Sequence, residues 1–194
     1  MREVEPVTGV ECVVPAAGRS ARMGDWKPLL PFRGAAIIEA VVRVALEACE
    51  RVILVTGYRA EELEGVFVGE PRVSVVRNPA WETGMFCSQQ QGIARVRSDR
   101  FFITPGDMPL VGAAVYRALL ASSAAEAVFP VFRGMRGHPV LLSRDVGQAA
   151  LREDPATGRM LDIVRRFECR EVQWTDDGIL RDIDTPDDYK ELPP

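Results

Sequence analysis

A chain of 194 residues matches the roughly 100–200 residues of one domain, and a domain of that size hides about 70% of its unfolded surface. Hydrophobic residues at 47% and charged residues at 27% lie near the globular average, which excludes a disordered, collagen-like or fibrous chain. A formal net charge of −4 offers no basic footprint for a phosphate backbone and argues against nucleic acid as a partner.

The first apolar run, Val10 to Pro15, is short and β-branched and predicts a buried strand. At Ala16-Ala17-Gly18 it gives way to a polar, glycine-bearing loop that reaches about Pro31. From Ala35 to Cys49 the apolar residues Ile38, Val41, Val42, Ala45, Leu46 and Cys49 recur every three or four positions, the pattern of an amphipathic helix. A strand over Val52–Thr56, a helix about Ala60–Val68 and a strand over Val73–Arg77 follow. Next come a loop at Asn78–Gly84, a helix about Ser88–Val96, a strand at Arg100–Thr104 and a helix near Gly112–Ser122. This alternation predicts an α/β fold, a mostly parallel sheet with helices on both faces. Beyond Val128 the rhythm loosens. Ala127–Phe132 and Pro139–Leu142 read as two strands joined through the turn Arg133–Gly137, a small antiparallel excursion. A helix about Asp145–Arg152, a polar loop Glu153–Gly158, a helix Arg159–Phe167, a strand Glu171–Trp174 and a short helix opened by Thr185-Pro186 complete the chain. With no internal repeat or linker, the expected organisation is one domain over residues 1–194.

Cys12, Cys49, Cys87 and Cys169 are spaced irregularly with no C-x-x-C pair, so neither a structural zinc site nor a disulfide scaffold is expected. The opening MREVEPVTG lacks the basic-then-apolar order of a signal peptide. No window approaches the ~20 apolar residues of a membrane span. The expected location is the cytoplasm, with no membrane partner.

Three segments carry chemistry. The loop Pro15–Pro28 leaves the C-terminal end of the first strand, where open parallel sheets bind ligands. Small residues at Ala16, Ala17 and Gly18 let backbone N–H groups approach an anion, and Arg19, Ser20, Arg22 and Lys27 add polar groups and cations to the same loop. It is not a Walker loop, because no G-x-x-x-x-G-K-[ST] is present. Second, Asp107 in Thr104–Pro109 and the acids Asp182 and Asp184 before the last helix are hard oxygen ligands. Such acids suit Mg²⁺, which takes one or two carboxylates together with substrate phosphates. Asp184 also reads as an N-cap neighbour and Asp182 as a polar partner in an alternating stretch, and either alone is ordinary in caps and turns. Third, Asn78–Ser88 flanks the crevice and has residues able to read a base, while Asn78 before proline also reads as a turn and Ser88 as a helix cap. The only histidine, His138, assembles no Ser-His-Asp triad. Cys87 reads better as a small buried residue than as a nucleophile. Trp26, Trp81 and Trp174 read as packing residues, with Trp26 also a candidate to line the pocket.

The strings PAAGRSARMGDWKPLLP, NPAWETGMFCS, PGDMPLV, RGHPVLL and DIDTPDDY occur in that order over roughly residues 10–190. Together they resemble the MobA/MocA-like nucleotidyltransferases, and most of all their molybdenum cofactor cytidylyltransferase branch. The guanylyltransferase branch usually has Ala-Gly-Gly where this chain has Ala16-Ala17-Gly18. The resemblance implies a Rossmann-like three-layer fold that joins CTP to the terminal phosphate of molybdopterin and releases pyrophosphate, with Mg²⁺ as cofactor. Residues about 10–110 would form the nucleotide half and about 111–190 the acceptor half. Arg22 and Lys27 would hold the triphosphate, Asp107 would ligate Mg²⁺ near the α-phosphate, and Asp184 would supply a second metal-facing acid. Asn78, Gly84 and Ser88 would lie along base and ribose, with His138 and Arg159 on the acceptor side. The chain departs from the family pattern at Gln89, in the loop Asp154–Arg159 and in the bulk of Trp26.

No protein nucleophile is needed for such a transfer, since a phosphate acceptor is ionised at neutral pH. What the site must offset is repulsion between two anions, about 4 kcal/mol for unit charges 4 Å apart at an effective dielectric of 20. The same residues suit a cytidylyltransferase acting on a sugar or alcohol phosphate, or a GTP-using molybdopterin enzyme. A reading from another class is a non-catalytic escort that hands finished cofactor to a molybdoenzyme. An escort would be expected to lose Lys27 or Asp107, and both are present. Enzymes of this branch can also serve as escorts to a recipient molybdoenzyme.

Overall fold

The computed structural model describes residues 7–122 and 124–193, so MREVEP, the larger part of the opening MREVEPVTG, lies outside the described residues. The sheet starts with β1 (Val7–Pro15), a run of apolar and β-branched residues flanked on both sides by parallel neighbours, β4 (Cys49–Thr56) and β6 (Arg100–Ile103). β5 (Val73–Arg77) extends it beyond β4. Past β6 the direction changes: β9 (Val140–Ser143) pairs antiparallel with β6 and with β7 (Ala127–Phe132). β10 (Cys169–Gln173) then runs parallel to β7. The spatial order is β10-β7-β9-β6-β1-β4-β5, with the two-residue β8 (Met135–Arg136) hung on β7. An antiparallel excursion is present, but the Arg133-Gly134 turn closes β8 onto β7 inside the segment expected to be all turn, with Val131 opposite Arg136 and Phe132 opposite Met135. β9 meets the other end of β7, with Ala127 opposite Leu142 and Val128 opposite Leu141.

Side chains alternate across the strands and so feed two apolar layers. Cys12, Val14, Val52, Leu54 and Phe102 face α1 (Ile37–Leu46), α2 (Ala60–Val66) and α4 (Ala113–Ser122). Val13, Ile53, Val55, Phe101 and Ile103 face α3 (Met85–Ile93), α5 (Arg144–Leu151) and α6 (Met160–Val164). These interior strand residues are almost wholly buried, and each large one contributes about 1.5–3 kcal/mol. The result is a three-layer, Rossmann-like sandwich. At the bottom of the sheet the buried Glu11 carboxylate accepts hydrogen bonds from Arg51 and from the N–H groups of Arg97 and Ser98. Burial pushes its carboxyl up, but those donors outweigh burial and hold it below the usual range.

Several expected boundaries move. The helix expected over Ala35–Cys49 spans only Ile37–Leu46. Ala35–Ala36 (β3) pair with Pro31–Phe32 (β2) in a small hairpin, and Cys49 already belongs to β4. α3 starts three residues before Ser88, because Trp81–Thr83 forms a 3₁₀ turn that delivers Gly84 as its cap. α6 is shorter than Arg159–Phe167. A third small cluster of Met23, Phe32, Ile37 and Ile183 packs the hairpin under the C-terminal segment. No helix among the described residues is long and apolar enough to cross a membrane.

Candidate active site

The loop after β1 is pinned from beneath. Met23 and Trp26 are buried in it, and the Trp26 indole N–H donates to the Gly18 carbonyl at 3.2 Å. Ser20, in the left-handed region at φ 56°, turns its hydroxyl to accept from the Lys27 backbone N–H at 3.2 Å. The loop therefore curls around its own tryptophan and presents Ala16 to Arg22 to a cleft of about 410 Å³ at the C-terminal ends of β1, β5 and β6. Gly106 lets the next loop close in: a Cβ there would lie 3.0 Å from the Ala16 Cβ and 3.2 Å from the Pro15 carbonyl.

Four charged side chains meet at the mouth of this cleft. The Lys27 ammonium donates to Asp107 Oδ2 at 2.7 Å and to Asp184 Oδ1 at 3.1 Å. Arg22 reaches the other oxygen of Asp184 at 2.9 Å. Lys27 is well shielded, its side chain 12% exposed, whereas Arg22 is an open cation at 73%. Two carboxylates against two cations leave the cluster neutral, and both carboxylates converge on the one ammonium. The backbone that carries Asp184 is held on both sides. Ile183 donates to the Asp107 carbonyl at 3.0 Å. The Asp188 carboxylate accepts from the N–H groups of Asp184 at 3.0 Å and Thr185 at 2.7 Å. Asp188 is also the return half of the capping box that opens α7 (Pro186–Lys190). The Thr185 hydroxyl and those backbone donors hold its carboxyl below its usual range.

A second cavity of about 310 Å³ adjoins the first. The two share Arg22, Met85, Asp107 and Asp184 as common wall. The second adds Arg136, His138 and Asp182. Burial pushes the His138 imidazole below its ordinary value, against the opposing pull of the Ile103 backbone and Asp107. Its Nδ1 is buried with no hydrogen-bond partner among the described residues. Burial, and then the carboxylates of Asp184 and Asp107, raise the Asp182 carboxyl.

Of the expected site residues, the structure brings Ala16, Ala17, Gly18, Arg19, Ser20, Arg22, Lys27, Gly84, Ser88, Asp107 and Asp184 onto the first cleft. His138 lies on the second. Asn78 does not reach either. It is fully buried, donating to the Ser88 hydroxyl at 3.0 Å and accepting from the Ala80 N–H at 2.9 Å, so it braces the wall from behind. Arg159 is exposed, stands at the N-cap of α6 and lines neither cavity. Trp26 packs beneath the loop rather than lining the cleft, and the tryptophan on the cleft is Trp81. Met85 has no role of its own in the sequence reading, where it falls between the expected loop Asn78–Gly84 and the helix expected from about Ser88. Yet it stands 55% exposed between the cavities. Asp182 had read as an alternating polar residue, and only the fold shows that it faces the second cavity.

Comparison with known proteins identifies the family. The molybdenum cofactor cytidylyltransferase of Escherichia coli K12 is 32% identical over 183 residues, covering 94% of this chain and 95% of its own. A nucleotidyl transferase from Methanothermobacter superposes with a TM-score of 0.81 at 26% identity, over 95% of each chain. Rv0371c of Mycobacterium tuberculosis, solved as a manganese complex, superposes with a TM-score of 0.78 at 28% identity, over 95% of this chain and 98% of that one. The model of the MobA-like NTP transferase domain matches residues 12–172. With a phosphate-type loop and a cation–carboxylate cluster at the end of a parallel sheet, the chain belongs to the MobA-like NTP transferases and is a nucleotidyltransferase.

Proposed function

We propose that the chain transfers CMP from CTP to the terminal phosphate of a molybdopterin-type acceptor and releases pyrophosphate, with Mg²⁺ as the cation. The observation that carries this reading is the junction. Two adjoining cavities share Arg22, Asp107 and Asp184, so a nucleotide in one and an anionic acceptor in the other meet beside the same charges. Base and acceptor are taken from the E. coli relative, whose name gives both a cytidylyl group and the molybdenum cofactor. The residues up to about 110 supply most of the nucleotide cleft and those from about 111 to 190 most of the acceptor wall.

The donor set fits a hard divalent cation. Asp107 and Asp184 already converge on a positive charge, the Lys27 ammonium. Phosphate oxygens and water would complete the shell of a Mg²⁺ held by these two carboxylates. When bound there, the cation neutralises the reacting phosphates and the charge that develops on the leaving pyrophosphate. Arg22 and Lys27 grip the triphosphate as a fork and a point charge, and Lys27 gives up its carboxylates to do so. Asp107 and Asp184 orient, and the loop Ala16–Ser20 carries backbone N–H groups to the phosphates. The acceptor phosphate attacks the α-phosphorus in line, forming one P–O bond as the bond to pyrophosphate breaks, and no side chain needs to take a proton. His138, whose imidazole burial holds below its ordinary value, and Asp182 face the acceptor. Four free cysteines suit the reducing cytoplasm, where we place the activity and a recipient molybdoenzyme.

The test is pyrophosphate release with Mg²⁺ and each of CTP, GTP, ATP and UTP, with and without molybdopterin. Release with CTP only when molybdopterin is present is expected, and Asp107→Ala should lower it by about two to three orders of magnitude in a folded protein. Release with GTP instead moves the chain to guanylyl transfer. Wild-type turnover in Asp107→Ala removes the metal assignment.

A further inference from the structure

Three loops at the top of the sheet touch at one backbone position. A Cβ on Gly57, just past β4, would lie 2.6 Å from the Trp81 Cβ and 2.8 Å from both the Cβ and the carbonyl oxygen of Ala17. Gly57 is thus the spacer between two residues that wall the nucleotide cleft, Ala17 and Trp81. The next residue, Tyr58, donates its backbone N–H to that Ala17 carbonyl at 3.0 Å. Its ring is set edge-on against Trp26, centroids 6.1 Å apart at 81°, and against Trp81, 5.6 Å apart at 62°. Behind Trp26 the Arg59 guanidinium closes the row at 4.8 Å. Arg59, Trp26, Tyr58 and Trp81 therefore form a strap across the loops after β1, β4 and β5. Edge-on aromatic contacts of this kind are directional, so the strap fixes the plane of the Trp81 indole as well as its position.

Trp81 lines the first cavity and not the second, so it stands away from the charged junction where phosphates react. Tyr58 lines neither cavity. Resting on the assignment of a nucleoside triphosphate to the first cavity, we propose that Tyr58 is a positioning residue. Through its contacts with Trp26 and Trp81 it holds the Trp81 indole as the wall against which the nucleoside end of the substrate packs. Trp81 then reads the nucleoside by its face, while Arg22 and Lys27 read the phosphates. A base has a π-face to offer an indole, and an inorganic polyphosphate has none.

Calorimetry with two probes in the presence of Mg²⁺, CTP and inorganic tripolyphosphate, separates these roles. Tyr58→Ala and Trp81→Ala should each raise the Kd for CTP about tenfold, the low range of one base–aromatic contact, and leave tripolyphosphate within about twofold. Tyr58→Phe, which keeps the ring, should restore CTP binding. A fold-wide effect of Tyr58→Ala would weaken both probes alike, and that result overturns the proposal. So does Tyr58→Ala with wild-type affinity for CTP, or a wild-type chain that binds CTP no better than tripolyphosphate. A wild-type chain that binds no nucleoside triphosphate overturns the functional reading, and this inference with it.

Discussion

Lys27 occupies the point at which Asp107 and Asp184 converge, so a divalent cation held there, as proposed above, would compete with the ammonium for the same oxygens. Replacing Lys27 with Met removes the ammonium and keeps the length of the side chain. Fully buried, each charged hydrogen bond of Lys27 would be worth about 1.5–3 kcal/mol. Asp107 and Asp184 keep 23% and 27% of their side-chain exposure, which brings the contacts toward the ~0.2–1 kcal/mol of solvated pairs. For the two together about 1.4 kcal/mol is a fair value, or tenfold in an equilibrium. Lys27→Met should therefore bind Mn²⁺ about tenfold more tightly than wild type in the absence of nucleotide, read by the loss of the free-ion signal in an electron paramagnetic resonance titration. Turnover should move the other way, falling about 10²–10³-fold for want of a phosphate-facing cation. The opposite signs are the point of the experiment. Equal or weaker Mn²⁺ binding in the variant would show that the ammonium does not stand in for the metal, and would refute this account of the site.

Two further predictions probe the frame around the site. Asp188→Ala removes the acceptor that fixes the N–H groups of Asp184 and Thr185. If Asp184 holds the cation as proposed, turnover should fall about 10–100-fold, the range for groups that orient a metal ligand, with far-ultraviolet circular dichroism unchanged. Glu11→Gln, at the opposite end of the sheet, should lower stability by about 1–3 kcal/mol in urea unfolding and leave kcat unchanged. The Glu11 carboxyl is held below the 4.5 of an unperturbed glutamate. Its contribution is therefore present above about pH 4.5 and is lost as pH falls through the lowered folded value. The wild-type melting temperature should drop more steeply with acid than that of Glu11→Gln. Parallel slopes would show that Glu11 does not carry the acid sensitivity.

The parts of the fold that a linear pattern encodes are legible in the sequence. β5 and β7 have the expected limits of Val73–Arg77 and Ala127–Phe132, because β-branched and aromatic runs bounded by turn residues leave little choice. Short elements carry no such signal. The hairpin of Pro31–Phe32 with Ala35–Ala36 is two residues a side, too little for periodicity, and it trims the helix that follows. For the site, the sequence places Lys27 in the long loop after β1 and Asp107 just past β6, and topology then brings the two loops together. Asn78 misleads because Asn-Pro has the chemistry of a turn, whereas the parallel pairing that carries its N–H to the Thr56 carbonyl at 2.8 Å also draws its amide inside. Trp26 packs, as its bulk reads, and turns inward to hold the loop after β1 instead of lining the cleft. Tyr58 had no signal at all, since its contacts lie with residues of two other loops.

The reach of Lys27 across the chain has a consequence for how the enzyme comes into being. Its second carboxylate, on Asp184, lies 157 residues further on, and the hydroxyl of Tyr189 donates to the Pro31 carbonyl from 158 residues away. A nascent chain that has already emerged through β6 and the loop after it holds the loop after β1 and Asp107 but not the acid that closes the cluster. Under the proposed function such a chain would have the parts to capture a nucleotide but not those to consume it, so competence would be withheld until the last segment folds back onto the first loop. A chain cut short before residue 184 is expected to be inert toward the cell's nucleotide pool instead of being a leaky hydrolase.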